Sequence, residues 1–209
     1  MKALIFKDLL AVWKYCRNYL FMCGAFLALS IVSGEYAFLQ MYPLILIGSL
    51  VSTLVAYDER DKWDRQVLTM PVSRKQYVTA KYLTGVILQG SVLVLTVMAH
   101  GLRLLMSGGF VWTVLWADAA VMVALAAVTP SLILPFVFKN GSEKGRMAYL
   151  VVIGSIFALA AICTVVVKKM GLTDLAVGLP VSALAAAVAA VLYPASWAIS
   201  VRWYEKREF

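Results

Sequence analysis

Charge is scarce in this chain of 209 residues: Asp, Glu, Lys and Arg make up 14%, while 63% of the residues are hydrophobic. A soluble domain carries about 25% charged residues. Too few charges remain to cover a water-facing globule, which argues against a soluble enzyme or a soluble DNA-binding domain and equally against disorder. Histidine is nearly absent, His100 being the only one, and the cysteines Cys16, Cys23 and Cys163 form no CxxC pair. A zinc centre takes about four Cys, His or carboxylate ligands, and none can be assembled at workable spacing. The cysteines read as small apolar residues at packed or lipid-facing positions, with Cys16 also placed near a membrane surface where acylation is feasible. No GxxxxGK[ST] loop is present, so the chain has no phosphate cradle of its own. The glycines and lysines between Lys139 and Gly145 have neither the spacing nor the strand-to-helix setting of one.

What the chain has instead is long uncharged runs, at 36–57, 82–102, 119–138, 147–167 and 175–201, with a further one at 19–34 that Glu35 ends. About 20 mostly apolar residues are needed for a helix to cross the hydrocarbon core. The runs predict an all-α polytopic membrane protein with six spans, at roughly 19–35, 40–57, 83–105, 112–138, 147–167 and 177–201.

The net charge of +8 orients these spans. Sixteen of the 19 Lys and Arg residues fall in the amino-terminal segment, the loops 58–82 and 139–146, and the carboxyl tail 202–209; only Arg103, Lys168 and Lys169 fall on the other side. The excess of Lys and Arg on cytoplasmic loops therefore predicts a multi-pass protein of the plasma or inner membrane with both termini in the cytoplasm. An even number of spans requires the same. Residues 1–18 precede the first span as an amphipathic stretch, with Leu4, Ile5, Leu9, Val12, Trp13 and Cys16 at three- and four-residue spacing, which suits a helix lying in the membrane interface. No cleavable signal peptide is visible, and the outer loops are too short for an ectodomain.

The most informative polar segment is the first loop, DERDKWDRQVLTMPVSRKQYVTAKY, from Asp58 to Tyr82. Trp63, Val67 and Met70 share one face of a short helix. Arg60 and Asp64, and Asp61 and Arg65, are opposite charges four apart that support it, and Asp58 and Glu59 suit its amino-terminal end. Pro71 ends that helix, and Ser73 with Gln76 forms a capping box for the next one, which runs into the third span.

This loop resembles the first cytoplasmic loop of type-2 ABC exporter permeases, in which an acidic-basic segment precedes an LPVSR-like element. Here the element is LTMPVSRK, with Met70 where leucine is commoner. Two further segments are similar to the small six-span members: LPFVFKNGSEKGRM, from Leu134 to Met147, and the tail SVRWYEKREF. The resemblance implies a permease that pairs as a dimer with a second copy or a homologue, each subunit carrying a separate ATPase that binds ATP and Mg. It implies that the first loop is a coupling helix seated on that ATPase, with Asp58, Glu59, Arg60, Trp63, Asp64, Arg65 and Pro71 as coupling residues and Trp63 as the desolvated anchor. A second contact is implied at Asn140, Gly141, Glu143, Lys144 and Arg146. No catalytic residue, metal or nucleic-acid partner is expected. Spans with almost no charge suit an amphipathic or lipophilic cargo, and the resemblance, which extends to exporters of antimicrobial or cytolytic peptides and of drugs, implies such a peptide as the favoured cargo, moved out by alternating access.

Ionisable residues within a span are functional hypotheses by default. His100, Arg103 and Asp118, near the outer ends of spans three and four, form a candidate cluster for gating or for structure. Pro130 and Pro135 interrupt span four, either as a flexing point or as a static kink. Trp13, Trp112, Trp116, Trp197 and Trp203 fall near interfaces as belt anchors. Intramembrane enzymes fit poorly: one histidine is too few for lipid phosphatases and metalloproteases, and the Gly154-Ser155 pair lacks the frame of an intramembrane serine protease. The competing non-enzymatic readings are a six-span substrate-binding subunit of a vitamin importer and a non-transport membrane assembly protein.

Overall fold

The computed structural model describes residues 2–32, 37–67, 69, 71–108, 111–142, 150–151, 154 and 179–206. The principal helices are α1 (Lys2–Tyr15), α2 (Arg17–Val32), α3 (Ala37–Arg60), α4 (Trp63–Val67), α5 (Arg74–Met106), α6 (Trp112–Asn140) and α7 (Leu179–Glu205). No strand occurs among the described residues. Helices stand at five of the six expected spans; the expected span 147–167 lies almost wholly outside the described residues. Three described helices, Phe38–Arg60, Arg74–Met106 and Trp112–Asn140, are long and apolar enough to cross a membrane, and α1 with α2 makes a fourth if the bent pair is one span.

That pair bends by 73° at Cys16. Alone, the 16 residues of α2 reach only about 24 Å at 1.5 Å per residue, less than the roughly 30 Å hydrocarbon core. On α1 the buried stripe is Leu4, Asp8 and Val12, continued by fully buried Cys16. These positions recur every four residues along one helix face. Phe6, Leu10 and Trp13 point away from the bundle. Burial of Cys16 leaves its thiol no route to acylation in this arrangement.

The core has two halves. One gathers Val12, Cys16 and Cys23 with Leu44, Ile47, Leu50 and Leu54 of α3 and Met122 of α6. The other gathers Val51 and Val55 with Val67, Tyr77, Val78, Leu134, Val137, Phe138 and Tyr204. The helices α3, α5 and α6 approach closely at Gly48, where a Cβ would come within 2.7 Å of Gln89 Nε2 and 2.8 Å of Thr129 Cγ2. Only a residue without a side chain fits there.

Among the described helices the most extensive pairing joins α6 to α7, and the prolines of α6 explain part of it. Proline has no N–H, so the carbonyl four residues earlier loses its helical donor. Pro130 frees Ala126 O, which accepts a hydrogen bond from Gln89 Nε2 of α5 at 2.9 Å. Pro135 frees Ser131 O, which accepts from Ser196 Oγ of α7 at 2.7 Å. In hydrocarbon, where no water satisfies an orphaned carbonyl, both bonds tie α6 to its neighbours. The Tyr82 hydroxyl extends this seam, 2.7 Å from both Ser196 Oγ and Ser200 Oγ.

Candidate functional site

Several charged side chains among the described residues converge at the end of the bundle that carries α4. The helix α3 continues through Asp58 and Glu59 to Arg60 instead of ending with the apolar run at Tyr57. Lys62 then takes the left-handed region, φ 55°, and turns the chain into α4. Beyond it, Ser73 caps α5: Gln76 N donates to Ser73 Oγ at 3.2 Å, and Ser73 N donates to Gln76 Oε1 at 3.1 Å. This is the capping box that the sequence predicts.

Beneath this turn lies a cluster of four charges, of which Asp8, Asp58 and Lys81 are buried and Lys7 is half-buried. Lys81 of α5 donates to Asp8 Oδ1 of α1 at 2.8 Å and stands 2.7 Å from Asp58 Oδ2 of α3. Lys7 donates to Asp58 Oδ1 at 2.7 Å and stands 3.2 Å from Asp8 Oδ1. The Tyr77 hydroxyl donates to Asp58 Oδ2 at 2.9 Å. Asp8 is 2% exposed and Lys81 1% exposed, so these ions have left water. Two lysines against two aspartates leave no net charge, which is what makes burial tolerable. The Lys7 ammonium also sits 4.8 Å from the centre of the Trp63 ring, a cation–π contact. Thus α1, α3, α4 and α5 are joined through one group.

Two further links close the end of the bundle. Ser142 N donates to Glu59 Oε2 at 2.7 Å, so the α3–α4 turn meets the segment that follows α6. There Gly141, with φ 84°, caps α6 by donating its N–H to Val137 O at 2.9 Å. Arg74 donates to Glu205 O at 2.7 Å, where a cation complements the carbonyl end of α7. Tyr204 stacks on Tyr77, ring centres 5.5 Å apart.

The expected coupling residues therefore separate into inward and outward groups. Asp58 is buried in the charge cluster, Glu59 is committed to Ser142, and Trp63 is half-buried against the core with Lys7 over its ring. Arg60, Asp61, Lys62, Gln66 and Pro71 are exposed. Arg60 pairs with the adjacent Asp61, Nε to Oδ1 at 3.2 Å. The side chains of Asp64 and Arg65 lie outside the description, as do Met70, Glu143, Lys144 and Arg146. Asn140 ends α6 and is exposed.

At the opposite end, His100 Nε2 lies 2.9 Å from Asp118 Oδ2, bringing α5 to α6. Arg103 donates to Ser30 O of α2 at 2.6 Å. The three residues thus bind three helices together at one level. Of the expected belt tryptophans, Trp13, Trp112 and Trp116 are exposed. Trp197 instead packs on α5, its Nε1 donating to Thr79 Oγ1 at 3.1 Å, and Trp203 carries Lys139 over its ring at 4.7 Å.

Sequence reasoning missed Asp8, Tyr77 and Lys81. A signal for Asp8 exists: it falls midway between Leu4 and Val12 on the apolar stripe of α1, where an acid needs a buried cation. Lys81 carries the weaker signal, as a lysine within the polar start of a long apolar helix.

Comparison with curated proteins and with solved structures gives no match. The family model described as "ABC-2 family transporter protein" matches residues 3–205. That match spans α1 through α7, takes in the α3–α4 turn and its charge cluster, and covers nearly the whole chain. An all-helical membrane protein with this sequence belongs to the ABC-2 family of transporter proteins.

Proposed function

We propose that the chain is the membrane-spanning permease subunit of an ATP-driven exporter, working with a separate ATPase that docks on the α3–α4 turn from the cytoplasm. The observation that carries this reading is the construction of that turn. The end of α3, the turn and the short helix α4 present Arg60, Asp61, Lys62 and Gln66 outward, while Trp63, Asp58 and Lys7 hold this element from beneath to α1, α3 and α5. A surface element so attached passes a push to the spans without being absorbed in a loose loop.

In this reading Arg60, Asp64 and Arg65 meet the ATPase, and Asp58 and Trp63 position the helix that carries them. The Glu59 bond to Ser142 makes the second loop move with the first. The permease works as a dimer in the plasma or inner membrane with both termini cytoplasmic, and the ATPase supplies the ATP and Mg chemistry. The cargo is amphipathic or lipophilic, with a peptide or toxin as the favoured class.

The test is charge reversal on the assembled complex. Arg60→Glu is expected to lower cargo-stimulated ATP hydrolysis about tenfold, equivalent to about 1.4 kcal/mol, with the permease still inserted at native levels. Unchanged stimulation in Arg60→Glu would overturn the site assignment.

A further inference from the structure

One face of α2 (Arg17–Val32) is left uncovered. Cys23 and Ser30 are buried, while Phe21, Gly24, Ala25 and Ala28 are exposed. With Trp13 of α1 and Arg17 these exposed residues line a groove of about 600 Å³. Among the described residues Arg17 is the one charge in that lining, and it forms no hydrogen bond or ion pair with them. Other cations are committed within the fold: Lys7 and Lys81 to Asp8 and Asp58, Arg60 to Asp61, Arg74 to Glu205 O and Arg103 to Ser30 O. Arg17 instead stands exposed at the end of an apolar groove.

The groove has the length of one leaflet. Arg17 and Ala28 are 11 residues apart on α2, about 16 Å at 1.5 Å per residue, against about 15 Å for half the hydrocarbon core. The charged end lies at the bend, where the amphipathic α1 meets α2. Trp13 stands beside it, 72% exposed, a residue type that sits at headgroup level. The far end is apolar. An occupant that fits both ends carries an anion on an apolar tail about one leaflet long.

We propose that this groove binds one anionic phospholipid of the adjoining leaflet, its phosphate on the Arg17 guanidinium and one acyl chain along Phe21, Gly24 and Ala28. The planar fork of arginine matches phosphate oxygens, and a lipid without a compensating headgroup cation makes the stronger partner. A Cβ at Gly24 would meet nothing within 4 Å, so the space over it is open to a chain. A lipid held from Trp13 to Ala28 spans the joint between the two helices and braces α1, which carries Lys7 and Asp8 of the charge cluster. The proposal is independent of the permease reading and requires only that α1 and α2 meet a membrane.

The test is native mass spectrometry of the full chain in detergent, titrated separately with dioleoylphosphatidylglycerol and dioleoylphosphatidylcholine. One phosphatidylglycerol is expected to be retained about fivefold more tightly than phosphatidylcholine, the scale of one arginine at an anionic lipid surface. Arg17→Gln is expected to bring the two lipids level. Gly24→Leu fills the groove with Arg17 in place and is expected to weaken retention of both; Ala28→Leu gives the same result should Gly24→Leu unfold the chain. Lys2→Gln removes an exposed cation of α1 outside the groove and is expected to leave the preference unchanged. Equal retention of both lipids by the unaltered chain overturns the proposal. So does a loss of preference as large in Lys2→Gln as in Arg17→Gln, which would mean diffuse surface charge. Lipid retention that survives both filling variants overturns it too, and a dimer lost in those same spectra would assign the groove to a second copy. The Arg60→Glu experiment judges the permease reading separately, since no ATPase enters this one.

Discussion

At the residue scale the decisive feature is the cluster of Lys7, Asp8, Asp58 and Lys81. Breaking a buried pair by removing one partner costs about 3–5 kcal/mol, whereas replacing both by apolar residues is often nearly neutral. Asp8→Leu and Lys81→Met are each expected to lower the thermal midpoint sharply in detergent. The double variant keeps Lys7 and Asp58 as a balanced pair and is expected to recover most of the loss. Circular dichroism melts of the singles and the double read the coupling, and additive losses would show that the Asp8–Lys81 contact contributes nothing. Gly48 supplies a second prediction. Its would-be Cβ meets Gln89 and Thr129 at under 3 Å, so Gly48→Ala is expected to cost about 1–3 kcal/mol through overpacking, seen in the same melts.

The residues themselves explain what sequence alone revealed. The capping box of Ser73 and Gln76 was legible because both partners lie within one helical turn. The charge cluster was not, because Asp8, Asp58 and Lys81 are far apart in the chain and hydropathy does not say which helix ends meet. The same holds for Asp118, whose contact with His100 depends on the level at which α5 and α6 pair. Asp58 reads in the sequence as the amino-terminal end of the loop helix, yet it lies in the last turn of α3, directly after the apolar run, and is buried.

At the scale of elements, α6 is one continuous helix from Trp112 to Asn140 despite two prolines. Its freed carbonyls are capped by Gln89 and Ser196, which favours a packed kink over a loose hinge. Ser196→Ala is therefore expected to destabilise the chain by about 1–3 kcal/mol by orphaning Ser131 O. In a Pro135→Ala background, where the restored N–H reaches that carbonyl, the same change is expected to cost much less. A double-mutant cycle measures the difference, and equal costs in both backgrounds would show that the carbonyl is not what Ser196 serves. The turn between α3 and α4 is another element with a backbone cause. A left-handed conformation costs about 1–2 kcal/mol for a residue with a side chain, so Lys62→Gly is expected to leave the melting midpoint unchanged or raise it. A clear fall would mean that the lysine side chain itself stabilises the turn.

At the scale of the molecule, the scarcity of charge and the length of the apolar runs sufficed to identify a helical membrane protein. Among the described residues three helices meet the length and hydropathy of a span, or four with the bent α1–α2 pair. The bend at Cys16 is the reason the amino-terminal region is not a plain span: the amphipathic α1 packs its Leu4–Cys16 stripe on the bundle and leaves α2 to run in another direction. Family membership across residues 3–205 agrees with the resemblance carried by the first loop, the second loop and the tail. These three segments meet in space through Glu59 with Ser142 and Arg74 with Glu205, a proximity that their order in the chain does not disclose.

The central claim is that the α3–α4 turn is where a separate ATPase engages this chain. The direct measurement places a photo-crosslinking amino acid at Arg60, and for comparison at Leu102 near the other end of α5, in native membranes, and identifies the adducts by mass spectrometry. One dominant adduct is expected from position 60, to a protein that carries a GxxxxGK[ST] loop, and none to that protein from position 102. No such adduct from position 60, or the same adduct from both positions, would contradict the claim.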